Sequence, residues 1–86
     1  MALHQISNNN PDILKKLEQV ANSNDAVLLC GDGTYQCPRL KTQLAVYALH
    51  DDVETRGLQL PENITAIDDS DWADLIIKYG TTVSWT

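Results

Sequence analysis

The chain has 86 residues, 43% of them hydrophobic and 21% charged, with six basic against twelve acidic side chains and a net charge of -6. That length suits one domain spanning residues 1–86, and the composition excludes disorder, collagen-like repeats and low-complexity tails. The whole -6 sits in residues 51–86, where eight acids face only Arg56 and Lys78, so direct binding to nucleic acid is not expected.

Ala2 to Ile6 reads as a first strand, with Leu3 and Ile6 around His4. Asn8, Asn9 and Asn10 then offer an N-cap and Pro11 a first helical position, where a missing N–H costs nothing. Ile13, Leu14, Leu17, Val20 and Ala21 follow amphipathic helical spacing, and Asn22 to Asp25 closes that helix. Ala26-Val27-Leu28-Leu29-Cys30 is a continuous apolar run of strand length, which predicts a strand covered on both faces.

Gly31-Asp32-Gly33 reads as a turn, and Thr34 to Gln43 as a short helix disturbed by Pro38. Leu44 to Leu49 predicts a second buried strand. Asp51 and Glu54 have capping-box spacing, so a short helix is expected over Asp52 to Arg56, stopped by Gly57. Ile64 to Ile67 predicts another strand. Asp69 or Ser70 is the expected cap of a last helix, with Trp72, Leu75 and Ile76 on its buried face and Gly80 at its end. Thr81 to Trp85 closes the chain as a β-branched and aromatic strand.

Strands alternating with helices in this way predict a small α/β fold, with a mainly parallel sheet of roughly five strands and helices on both faces. Ligands of such sheets gather at the carboxyl ends of the strands, where Cys30, Asp32, His50, Asp51 and Asp68 would stand. Cys30 is the candidate nucleophile or sulfur carrier, and with His50 and an aspartate the candidate metal ligand. A cysteine ending an apolar strand is more often a small buried hydrophobe. Cys30 and Cys37 lack zinc-knuckle spacing, no His pair has ligand spacing, and a disulfide between the two cysteines is disfavoured in a reducing compartment. Gly31-Asp32-Gly33 departs from the dinucleotide fingerprint at Gln36. Asp68-Asp69-Ser70-Asp71 lacks the order and the distal Glu of a calcium loop. No catalytic residue, metal or cofactor is therefore expected. Membrane insertion is not expected either, because no apolar run approaches the length of a span and the N-terminus lacks the features of a signal peptide, which points to the cytoplasm.

Leu3-His4, the LLCGDG segment, VYALHDDVETRGL, ITAIDDSDWADLI and Trp85 together, in this order over nearly the whole chain, resemble the TusB/DsrH family. The most specific stretch is carried by Val46, Tyr47, Ala48, Leu49, Asp52, Arg56, Gly57 and Leu58. The resemblance implies a DsrEFH-like fold and a subunit of a sulfur-relay complex with TusC-like and TusD-like chains, a heterohexamer built as a dimer of trimers. It implies transfer of persulfide sulfur from TusA to TusE, toward 2-thiolation of the tRNA wobble uridine, with the main sulfur-carrying cysteine on the TusD-like partner. Sulfur-oxidiser relatives carry a cysteine in the first helix, where this chain has Leu17, and Cys30, Cys37 and His50 lie outside the family pattern. The reading that follows is a non-catalytic subunit. The alternatives are a persulfide carrier acting through Cys30, resolved by Cys37, or a homo-oligomeric binding module. Tyr35 and Trp85 with the Asp32-Gly33 turn are the interface candidates, since Tyr and Trp often anchor interfaces.

Overall fold

Apolar runs punctuated by Asn, Asp and Gly become nine elements in the computed structural model, which describes residues 1–85. They are β1 (Ala2–Ile6), α1 (Asp12–Val20), β2 (Ala26–Leu29), a 3-10 helix (Gly31–Gln36), β3 (Ala45–Leu49), α2 (His50–Thr55), β4 (Ile64–Ile67), α3 (Asp69–Tyr79) and β5 (Thr81–Trp85). The five strands form one sheet in the order β4-β3-β2-β1-β5, and every neighbouring pair is parallel. The radius of gyration is 11.6 Å, close to the ~12 Å expected for a compact chain of this length.

Topology decides which face each helix covers. Three successive connections step the chain from β1 to β4 in one direction, and right-handed crossovers of one direction land on one face. Ile13 and Leu17 of α1 and Val53 of α2 accordingly share a core with Ile6, Val27, Leu29, Val46 and Ala48. The last connection reverses across the sheet to β5, which puts α3 on the opposite face. There Leu75 packs with Leu3, Ala26, Leu28, Leu49 and Ile67. All four residues of β2 are buried, as a central strand covered on both faces must be.

Several local expectations need correction. The helix expected beyond Thr34 is a 3-10 helix over Gly31–Gln36, so the Gly-Asp-Gly turn is its first turn rather than a separate element. Cys30 and Leu44 lie just outside β2 and β3. α2 starts at His50, so its N-cap is Leu49, which has no side-chain acceptor, and the expected Asp51 capping box lies inside the helix and does not form; Asp52 turns its carboxylate to the Gly31 N–H. The cap of α3 is Asp68, whose side chain accepts from the Asp71 N–H while Asp71 accepts from the Asp68 N–H. Leu75 alone on α3 is buried; Trp72 is half-buried and Ile76 is 41% exposed, because one helix cannot turn its whole apolar stripe onto half a sheet face. Before α1, Asn10 accepts from the Asp12 N–H and Pro11 has helical dihedrals (φ -65°), in keeping with the Asn-Pro start.

Candidate functional site

The carboxyl edge of the sheet is built around a close backbone approach. Gly33 packs so tightly on β1 that a Cβ there would stand 1.9 Å from the Ile6 carbonyl oxygen. That same carbonyl accepts from the Cys30 N–H at 3.0 Å and from the Cys30 thiol at 3.7 Å. Gly33 N–H in turn donates to the Cys30 carbonyl at 2.9 Å, and the Thr34 hydroxyl donates to the Gly31 carbonyl at 2.7 Å. Beyond the turn, the buried Gln36 side chain donates to the Asn8 and Asn10 carbonyls at 3.2 and 2.8 Å. The β2–β3 connection is thereby fastened to the start of α1.

The residues of the family-like stretch close this edge from the α2 side. Asp52 accepts from the Gly31 N–H at 2.8 Å, which satisfies an orphan donor at the start of the 3-10 helix. Arg56 donates through Nη2 to Asp32 at 3.0 Å and through Nη1 to the Asp52 carbonyl at 3.2 Å. Its guanidinium lies 5.8 Å from the ring centroid of Tyr35, within cation–π range. Gly57 ends the helix with φ +62°, a conformation that suits glycine.

The chemistry this edge can support is limited by its sulfur. Cys30 is half-buried, and burial, aided by the Asp52 carboxylate, pushes its thiol above the ordinary value. A thiol disfavoured as thiolate is a poor nucleophile. Cys37 is fully buried, and burial raises it as well. The two cysteines are free and belong to different core layers, Cys37 under α1 and α2 and Cys30 on the α3 side, so Cys37 is not placed to resolve Cys30.

The other expected edge residues do not converge. His50 is exposed and contacts Glu54 of its own helix at 3.3 Å. Asp68 is spent on its cap. Among the described residues, the metal-competent side chains that come together are His50, Asp51 and Glu54, all exposed, and Cys30 is not one of them. Of the interface candidates, Tyr35 is 38% exposed, Asp32 is exposed but held by Arg56, Gly33 is buried against β1, and Trp85 is half-buried against the α1 and α2 core. A groove of about 520 Å³ lies elsewhere, before the amino ends of β2 and β3; Leu17, Leu40 and Leu44 are among its lining residues, and it reaches none of the carboxyl-edge residues.

Sequence reasoning missed the buried pair His4–Asp25 and the roles of Thr34 and Gln36. His4 Nε2 lies 2.9 Å from Asp25, which also accepts from the Ala2 and Asn22 N–H groups at 2.8 and 2.9 Å. Burial pushes the Asp25 carboxyl up, but the Asn22, His4 and Ala2 hydrogen bonds outweigh it and hold the group at about 2, against an ordinary 3.8. A polar His at an inward position of β1 was the available signal.

An open, all-parallel α/β sheet whose carboxyl edge is closed by backbone contacts and an Arg–Asp pair, with burial pushing the Cys30 thiol up, defines a small α/β protein. The model of the family described as DsrH like protein matches residues 7–82, and the chain belongs to that family of sulfur-relay subunits. It is 28% identical over 76 residues to the Protein TusB of Salmonella dublin, Salmonella enteritidis and Salmonella gallinarum, covering 85% of this chain and 80% of each relative. The solution NMR structure of protein Tm0979 from Thermotoga maritima superposes with a TM-score of 0.73 at 28% identity, over 91% of this chain and 93% of that one. Among the described residues no helix is long and apolar enough to cross a membrane.

Proposed function

We propose that this chain is a non-catalytic subunit of a TusBCD-like sulfurtransferase complex that relays persulfide sulfur toward 2-thiolation of the tRNA wobble uridine. The observation that carries this reading is the state of Cys30. A sulfur carrier must present a thiolate, which attacks the terminal sulfur of a donor persulfide and leaves the donor as thiolate. Cys30 instead donates its S–H to the Ile6 carbonyl beside an aspartate, with burial and that charge both opposing ionisation. The transferred sulfur then travels on a TusD-like partner, and this chain contributes a folded surface to an assembly with TusC-like and TusD-like chains that exchanges sulfur with TusA and TusE. Assembly in the cytoplasm follows from that route.

The test replaces both Cys30 and Cys37 with serine in the co-expressed complex and measures sulfur passage from TusA to TusE. Unchanged passage supports the reading. A loss of more than tenfold with the complex still assembled would make this chain a carrier.

A further inference from the structure

His4 is buried between two partners that make opposite demands on it. The indole N–H of Trp85 points at His4 Nδ1 at 3.2 Å, and Asp25 lies 2.9 Å from Nε2. An indole nitrogen only donates, so Nδ1 must offer a lone pair and Nε2 must carry the ring proton that Asp25 accepts. The ring is therefore neutral while Trp85 is bound to it. A second proton, taken from solvent onto Nδ1, would set two donors face to face and end the Trp85 bond. The same proton would strengthen the pair with Asp25.

We propose that His4 is a proton-operated latch that seats the Trp85 indole when neutral and releases it, with the carboxyl end of edge strand β5, when protonated. The position of Trp85 suits a latch. β5 is an outer strand paired with β1, Trp85 faces Ile6 at the end of that ladder, where the Ser7 N–H to Trp85 carbonyl contact is a long 3.4 Å, and the half-buried indole packs on the core under α1 and α2. The two rings stand 6.1 Å apart and tilted by 36°, so they do not lie face to face, and the indole N–H bond is the polar contact that orients Trp85 on His4.

The charged groups around His4 are few. Asp25 precedes β2, and β2 and β5 carry no ionisable side chain from Ala26 to Leu29 and from Thr81 to Trp85. α1 turns Ile13 and Leu17 to this face and keeps Asp12, Lys15, Lys16 and Glu18 exposed. On β1 itself the neighbouring ionisable group is the Met1 amine. Asp25 stays ionised throughout the histidine range, since its carboxyl is held at about 2. Two partners thus decide the outcome, with the indole favouring the neutral ring and Asp25 the charged one.

The experiment is a pH series of nitrogen-15 NMR spectra on the full chain, from roughly pH 8 to pH 5, the range in which a histidine changes charge. The expected result is an unprotonated Nδ1 at the alkaline end, and a Trp85 indole signal that moves with the same midpoint as the His4 ring. Released Trp85 should exceed seated Trp85 by roughly tenfold one pH unit below that midpoint, while the Trp72 indole and the β2 and β3 amides stay in place. In Trp85→Phe the ring transition should move to higher pH, and in Asp25→Asn to lower. A proton on Nδ1 at pH 8, a Trp85 indole that stays put through the His4 transition, a His4 that never titrates, or loss of all native signals with that transition would each overturn the latch.

Discussion

Gly33 shows how much one backbone atom can demand. Its φ is not left-handed, so what excludes a side chain is the Ile6 carbonyl, 1.9 Å from where a Cβ would sit. Gly33→Ala should therefore cost about 3 kcal/mol or more, at or beyond the upper end for overpacked sites, because neither β1 nor the turn can move without breaking the Cys30 bonds. Gly31→Ala, with φ +51° and open space around it, should cost only about 1–2 kcal/mol of conformational strain. Urea unfolding of the two variants separates the steric cost from the conformational one. Asp25 sets the acid limit. Its folded value is lowered to about 2 from 3.8, so the stability it contributes is present above the ordinary carboxyl range and is lost as pH falls through the folded value. Asp25→Asn should lower stability at pH 7 by about 1–3 kcal/mol and flatten the loss between about pH 4 and pH 2, as read from urea midpoints along a pH series.

Among the elements, the strands and α3 were the most legible in the sequence, and the β2–β3 connection the least. Central strands announce themselves because a face-to-face burial needs continuous apolar residues, as in Ala26 to Leu29. The 3-10 helix has no such pattern. Its shape depends on bonds that Thr34 and Gln36 make, including those from Gln36 to Asn8 and Asn10, residues 28 and 26 positions away, which no local rule contains. The Asp51 cap fails because β3 runs straight into α2: the helix begins at His50, so the N-cap position falls on Leu49, which has no side-chain acceptor. The carboxyl-edge cluster was thus visible only as a motif, whose Asp52, Arg56 and Gly57 turn out to brace one turn. On α3 the burial difference between neighbours gives a sharp contrast. Leu75→Ala should cost about 2–5 kcal/mol by emptying the α3 core, and Ile77→Ser, at a site 80% exposed, should change stability by less than about 0.5 kcal/mol. Thermal or urea melts of the two variants check this. Asp68→Ala should remove about 0.5–2 kcal/mol through the lost capping box.

Among the described residues, α1, α2 and the Cys37 and Leu40 side chains of the β2–β3 connection cover one face of the sheet, and α3 covers the other. Ile76, Ile77 and Tyr35 remain exposed on a chain that is small enough to have a thin stability margin. Binding to a folded partner adds to such a margin by mass action, which fits a chain that works within an assembly. Its acidic second half also suits contact with proteins rather than with tRNA. The account rests on where the sulfur goes. Intact-mass spectrometry of the chain co-expressed with its TusC-like and TusD-like neighbours, after loading from a persulfide donor, tests that most directly. The account predicts a mixed complex in which the added sulfur is found on a partner and this chain keeps its unmodified mass. A chain that gains one sulfur atom on Cys30, alone or within the complex, would contradict it.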